Sequence, residues 1–416
     1  MIYLDSNATT QIHPVVLEAM LPFFTDHCHN PSSGYRAGKY VKQAMETARE
    51  EVAALIGADP GEIVFTGCGT ESNNMALKSL ARVVGRKESR VVTSVIEHSA
   101  VLRPCEAMEA VGFEVARCGV DELGRMRMDE FAELVDEARP GFASVMWTNN
   151  ETGVVQPMGE ACAVVKDAGW GFHTDAIQAV GKVPLDVREV PVDFLSISGH
   201  KFHAPKGVGA LYVREGVRFE PMMRGGGQEG GRRSGTENVA SIVGLGKAAA
   251  MMREGLEKDG HVEMRRLRDH FEDRLVEEIQ GVLLNGSREH RAGNIVHASF
   301  ESCEAAGLPH WRSEEPIRSL MPSSGTRSAR SRALYSAMRA TLKAPCATIC
   351  MGGPARMAAC ALPVHCTHAA ARGLHTECRL DTECRLRARC MHKLRARCTH
   401  ILRTPYCTQT RACLHG

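Results

Sequence analysis

The sequence is poor in aromatic side chains. Phe, Trp and Tyr make up 5% of its 416 residues, so its core must be built mainly from aliphatic side chains. It has no apolar run near 18 residues, which leaves no candidate for a helical membrane span. Its start, Met1-Ile2-Tyr3-Leu4-Asp5, lacks the basic and apolar segments of a secretory signal, so none is expected. It lacks a dominant charge, with a formal net charge of +2. The first 300 residues lack a cysteine framework: Cys28, Cys68, Cys105, Cys118 and Cys162 are scattered. That pattern fits a reducing compartment, and the chain is expected to be cytoplasmic. What is present, 44% hydrophobic and 24% charged residues, suits a soluble globular protein of two or three domains.

Short apolar runs alternate with helical patterns through the first 215 residues. The runs at 63–65, 90–94, 114–117, 142–147, 171–173, 194–197 and 209–213 read as strands. The stretches 35–56, 71–80, 101–110, 129–138 and 159–168 read as helices. This alternation predicts an α/β fold with a mainly parallel central sheet flanked by helices. Met264, Leu267, Phe271, Leu275 and Ile279 recur at helical spacing and 294–300 reads as a strand. These open a smaller α+β domain.

Parallel sheets place ligands at the carboxyl ends of their strands. The first strand runs into Thr66-Gly67-Cys68-Gly69-Thr70-Glu71-Ser72, either a capped helix after a glycine turn or a phosphate-binding helix start. Another ends in Asn149-Asn150-Glu151-Thr152-Gly153, which by itself reads as a turn. The next ends at His173-Thr174-Asp175, where the acid is either a helix cap or the partner of a protonated ring nitrogen. Ser198-Gly199-His200-Lys201 follows the sixth run. Lys201 is either a surface lysine or the amine that forms a Schiff base with a carbonyl cofactor. Residues 224–238 are rich in Gly and Arg, as in a linker or an anion-binding loop.

Together these residues resemble one family. Tyr3-Leu4-Asp5-Ser6-Asn7-Ala8-Thr9-Thr10, Gly69-Thr70-Glu71-Ser72-Asn73-Asn74, Glu97-His98, Asn149-Asn150-Glu151-Thr152-Gly153, Asp175 with Gln178, Ser198-Gly199-His200-Lys201 and Arg233-Ser234-Gly235-Thr236 look like the cysteine desulfurases. These are class V aminotransferases with the type I pyridoxal-phosphate fold, and the resemblance covers residues 1 to about 300. It implies that Lys201 holds pyridoxal 5'-phosphate covalently and moves protons, and that Asp175 pairs with the ring nitrogen. It implies that His98 lies on the ring and helps move protons. Gln178 and Asn150 are implied at the ring oxygen and substrate side. Gly69, Thr70, Ser198 and His200 are implied at the phosphate, with Thr236 reaching it from the second subunit of a homodimer. The implied substrate is L-cysteine and the product L-alanine. The sulfur passes through a protein persulfide to an iron–sulfur scaffold or another acceptor protein. A selenocysteine lyase-like activity is the neighbouring alternative. The implied domains are 13–249 for the large domain, 1–12 with 250–306 for a partial small domain, and 307–416 for a divergent, disordered tail.

The family's catalytic loop carries a cysteine. Here the nearest echo is Ser323-Ser324-Gly325-Thr326-Arg327-Ser328, with Ser328 at the cysteine's place. A chain without that thiol is expected to bind the cofactor and release little sulfide. Cys303 and Cys346 are the nearest other thiols. From 341 onward the chain holds 12 Lys/Arg against Glu377, Asp381 and Glu383, and repeats short Arg/Cys units. No cysteine pair there has zinc-site spacing, so no metal site is expected. No nucleic-acid or membrane partner is expected either.

Overall fold

The apolar runs assemble into one central sheet in the computed structural model, which describes residues 3–85, 89–301 and 348–351. In chain order the elements are α1 (Pro14–Met20), α2 (Arg36–Ile56), β1 (Ile63–Thr66), α3 (Gly69–Val84), β2 (Arg90–Ser94), α4 (Ser99–Glu109), β3 (Glu114–Cys118) and α5 (Met128–Leu134). There follow β4 (Gly141–Ser144), α6 (Met158–Asp167), β5 (Gly171–Asp175), β6 (Phe194–Ser198), β7 (Gly209–Val213), α7 (Val239–Glu257), α8 (Gly260–Glu278), β8 (Val282–Leu284), β9 (Ile295–Phe300) and β10 (Thr348–Met351). The seven-stranded sheet has the order β1-β7-β6-β5-β4-β2-β3. Only β7 runs against its neighbours.

The strands read as continuous apolar runs because helices cover both faces of the sheet. Adjacent residues then serve opposite faces. Val64 packs in the core beneath Met75 and Leu80 of α3. Phe65, the next residue, packs in the core beneath Val52 and Ile56 of α2. Phe194 and Leu195 divide between the same two cores. α7 has no counterpart among the sequence-predicted helices, since Gly244 and Gly246 weaken its helical signal. Packing requires these glycines. A Cβ on Gly246 would lie 2.4 Å from Ala48 Cα of α2, and one on Gly244 would lie 2.6 Å from Met20 Sδ.

A second sheet has the order β10-β9-β8. Phe271 and Leu275 of α8 and Ile279, which ends the helix, form a small core with Val296 of β9, as the helical spacing predicts. β10 pairs in parallel with β9. It lies within the stretch 307–416, to which the sequence assigns no strand. Cys303, Cys346, Ser323–Ser328 and the rest of that tail apart from β10 lie outside the described residues.

One buried ion pair fastens the glycine-rich loop to the large sheet. Glu229 has left-handed backbone torsions (φ 52°) and takes two hydrogen bonds from Arg49 of α2, both 2.8 Å. It also accepts from Phe65 N at 2.8 Å, while Arg49 donates to Ile63 O at 2.9 Å. Replacing one member of such a pair leaves a buried charge without its partner. Arg49→Leu is expected to destabilise the chain by about 3–5 kcal/mol in urea unfolding. Arg103→Ala, which breaks an exposed pair with Glu106, should barely move the midpoint.

Candidate active site

β1, β2, β4, β5 and β6 all run in one direction, so their carboxyl ends share one edge of the sheet. Every candidate residue except Thr236 lies at one of these ends or in the segment that follows it. Asp175 is the last residue of β5 and is 4% exposed. Its Oδ2 accepts from Asn73 Nδ2 at 2.7 Å and its Oδ1 from Ile177 N at 3.1 Å. Burial pushes this carboxyl up from its ordinary value. The two hydrogen bonds, then His98 and Lys201, act in the opposite direction. A carboxyl so placed favours a cation against it.

Lys201 closes a short 3-10 turn, Gly199–Lys201, directly after β6. Its Nζ donates to the carbonyls of Asn7 at 2.8 Å and Ala8 at 2.9 Å. The N-terminal arm therefore crosses the turn and holds the amine. Thr10 Oγ1 donates to His200 O at 3.0 Å and accepts from His203 N at 2.7 Å, fixing both sides of Lys201. Gln178 Nε2 donates to Asn7 O at 3.0 Å, and Asn7 Nδ2 donates to Asn150 O. The arm thus gathers Asn150, Gln178 and Lys201 from three strand ends.

Gly69 opens α3. A Cβ there would lie 2.2 Å from Ile177 Cδ1 and 3.1 Å from Ser198 Cβ. Only glycine lets the start of α3 approach both the segment after Asp175 and the end of β6. Thr70 is exposed in that first turn, and Ser198 is buried beside it. His200 Nδ1 lies 3.1 Å from Thr9 Oγ1. Burial, aided by Lys201, Lys206 and Lys182, lowers His200 to about 4, so it is neutral near neutrality. His98 is exposed. It caps α4, its Nδ1 accepting from Ala100 N at 3.1 Å, which leaves the proton of the neutral ring on Nε2.

Thr236 stands apart, exposed on the glycine-rich loop. That loop reaches the site through Arg233, whose Nε donates to Glu71 Oε1 at 2.7 Å, while Glu71 Oε2 accepts from Gly67 N at 2.8 Å. Two other participants have no role in the sequence analysis. Asn73 lies four residues after Gly69, and helical spacing alone puts it on the same face. The carbonyls of Asn7 and Ala8 leave no trace in residue type. Beneath Asp175, His173 bridges Ser144 Oγ (2.8 Å) and Ser196 Oγ (3.0 Å) across three strands, all fully buried. Burial lowers its pKa to about 3.

The donor set fits pyridoxal phosphate. Asp175 is a buried carboxyl suited to a protonated ring nitrogen. Lys201 supplies an amine at the same strand edge. The start of α3 supplies backbone amides and a hydroxyl suited to a phosphate. Among the described residues, no three His, Cys, Asp or Glu side chains are grouped to hold a metal ion, and no helix is long and apolar enough to cross a membrane.

A class-V aminotransferase profile matches residues 2–344. Over 310 residues the chain is 47% identical to a cysteine desulfurase of Gluconacetobacter diazotrophicus, covering 74% of this chain and 76% of that protein. It is 43% identical over 308 residues to the cysteine desulfurase NifS of Azotobacter vinelandii, covering 74% and 76%. A solved NifS-like protein superposes with a TM-score of 0.70 at 38% identity, over 74% of this chain and 84% of the other. A structure described as SspA in complex with cysteine gives a TM-score of 0.65 at 33% identity, over 72% and 84%.

The neutral His173 makes a signed prediction. Its folded pKa of about 3 lies below the ordinary 6.5, so its contribution to stability is complete above pH 6.5 and is lost as pH falls through 3. His173→Gln should therefore be most destabilising near neutrality, and the gap from the parent chain should narrow towards pH 4. Urea unfolding of both proteins across that range checks it, and a constant gap would refute it.

Proposed function

The chain belongs to the class-V aminotransferase family, and on that premise we propose that it is a pyridoxal-phosphate-dependent cysteine desulfurase, converting L-cysteine to L-alanine and passing the sulfur on as a persulfide. The observation that carries the reading is the convergence of Lys201, Asp175 and His98 from three strand ends, with both Lys201 and His98 acting electrostatically on Asp175. Pyridoxal phosphate, when bound, supplies an electron sink for negative charge at the substrate Cα. Lys201 holds the cofactor and moves the proton at that carbon. Asp175 stands against the ring nitrogen and keeps it protonated. His98, exposed at the strand edge, moves protons on the substrate side. Gln178 and Asn150 serve the ring oxygen and the substrate side. Gly69, Thr70, Ser198 and His200 receive the phosphate.

Thr236 completes the phosphate site of the partner subunit in a homodimer. Its exposed position on an anchored loop supports this, as do the exposed side chains of Leu21, Phe24, Tyr35 and Tyr40, apolar area of the kind that subunit contacts bury. The sulfur acceptor is an iron–sulfur scaffold or another sulfur-carrying protein, and the site of action is the cytoplasm. Borohydride treatment of the purified chain should fix a pyridoxyl group on Lys201, and the labelled protein should sediment as a dimer. The same adduct in Lys201→Ala would overturn the assignment. A monomer that holds the cofactor tightly would overturn the role of Thr236.

A second reading has a specific observation behind it. Among the described residues Cys105, Cys118 and Cys162 are buried, and Cys28 and Cys68 are exposed. Burial pushes the thiols of Cys105 and Cys118 up to about 12 and raises that of Cys162. None of these three is a thiolate near neutrality. With Ser328 in the loop position, the chain binds the cofactor without a loop thiol, and the exposed Cys28 and Cys68 stand outside the loop motif. On this reading, sulfide release from L-cysteine with a thiol reductant stays at the level of free pyridoxal phosphate. Alanine and sulfide in equal amounts, well above that level, would remove the second reading and make Cys303 and Cys346 the first thiols to replace.

A further inference from the structure

Glu97 has no part in the roles above, yet it is a carboxyl 6% exposed, one residue ahead of His98. Its Oε1 accepts from Ser94 Oγ at 2.6 Å and from Met146 N at 2.8 Å. Its Oε2 is buried without a hydrogen-bond partner among the described residues. An ionised carboxylate would place negative charge on that unsolvated oxygen, which costs far more than burying the neutral acid. Two titratable groups face Glu97: Asp175 from β5 and the buried Cys105 from α4. Both are anionic when ionised, so neither favours a charge on Glu97.

Two interacting buried carboxyls do not both ionise readily. Each oxygen of Asp175 has a donor, and His98 and Lys201 favour its charged form. Glu97 has donors on one oxygen only. The site's proton therefore belongs on Glu97. Its neighbours also tie it down. Asn149 Nδ2 donates to Ile96 O at 3.2 Å, so residues 96 and 97 are both fastened to the segment that continues β4. His98 follows at once as the cap of α4.

We infer that Glu97 is held as the uncharged acid, a positioning residue that braces β2 against β4, sets the place of His98 and leaves Asp175 as the site's charged carboxyl. The part concerning His98 rests on the cofactor reading above. The part concerning the proton does not, since it is a property of the chain itself. Burial raises Glu97 from 4.5 to about 8, which agrees with the geometry.

The sign follows from linkage. A carboxyl raised in the folded state stabilises fully below its unfolded pKa of 4.5, and that stability is lost as pH rises through about 8. Glu97→Gln copies the neutral acid and has no such loss. In cofactor-free full-length protein, the melting temperature of E97Q relative to the parent should rise steadily between pH 5 and pH 8 and then level off. A flat difference would overturn the inference. In the cofactor-loaded protein, E97Q should keep the visible absorption band and an affinity within about threefold of the parent, whereas E97A should weaken cofactor binding by roughly tenfold or more. Equal losses in both would overturn the bracing role. If E97Q does not fold, infrared difference spectra of the parent decide: a protonated-carboxyl band must disappear as pH passes about 8, and its absence refutes the inference. A chain that takes up no cofactor at all defeats the cofactor reading and leaves the melting test standing.

Discussion

The carboxyl of Asp175, buried at the end of a central strand, is the constraint from which the site follows. Burial opposes its charge, so the structure must return what water would have supplied. Asn73 does so from the first turns of α3, and the backbone amide of Ile177 does so from the segment after β5. Asn73 can reach only if α3 starts hard against β5 and β6. That requires Gly69, where a Cβ would strike Ile177. The same close approach brings the amides of the first turn of α3 to the strand edge. One electrostatic need thus sets both the helix position and the place of its first-turn amides.

The N-terminal arm supplies the second half of the construction. It makes many polar contacts, through Asn7, Ala8, Thr9 and Thr10. Its partners lie at Asn150, Gln178, His200 and Lys201, separated from it by 143 to 194 residues. Contacts of such long range form only after the sheet has brought the strand ends together. The arm therefore reads the finished fold and adds orientation to it. Holding the Lys201 amine between two carbonyls fixes its direction without adding a charge beside Asp175.

The sheet was legible in the sequence because both its faces are buried. Runs such as 209–213 then become continuous and apolar, and helical stretches separate them. The site was legible where chemistry-bearing side chains follow such runs directly, as Asp175 and Lys201 do. Their meaning was not: a cap and a ring-nitrogen partner are the same residue in a sequence, and Asp175 does accept from Ile177 N as a cap would while its other oxygen meets Asn73. The arm's contribution was hidden because its acceptors are backbone carbonyls, which every residue carries. α7 was hidden because glycine lowers helix propensity, and the compensating closeness to Ala48 exists only in three dimensions. β10 was hidden because four residues, Thr348–Met351, carry too little pattern to stand out from their surroundings.

Three titratable groups around the site are held uncharged near neutrality. His173 is lowered to about 3 and His200 to about 4, so both rings are neutral near neutrality. Burial dominates each shift, and for His200 the nearby lysines add to it. Glu97 moves the other way, to about 8, with the same electrical result. Each of these groups still donates or accepts hydrogen bonds and so still orients its neighbours. A region that is polar, ordered and nearly uncharged screens poorly, and the few charges left in it interact strongly. Those left around Asp175 and Lys201 are Lys182 and Lys206 near His200 and the Arg233–Glu71 pair at the start of α3. Asp175 then faces no charged Glu97, His173 or His200, and its charged form is favoured by Asn73, the Ile177 amide, His98 and Lys201.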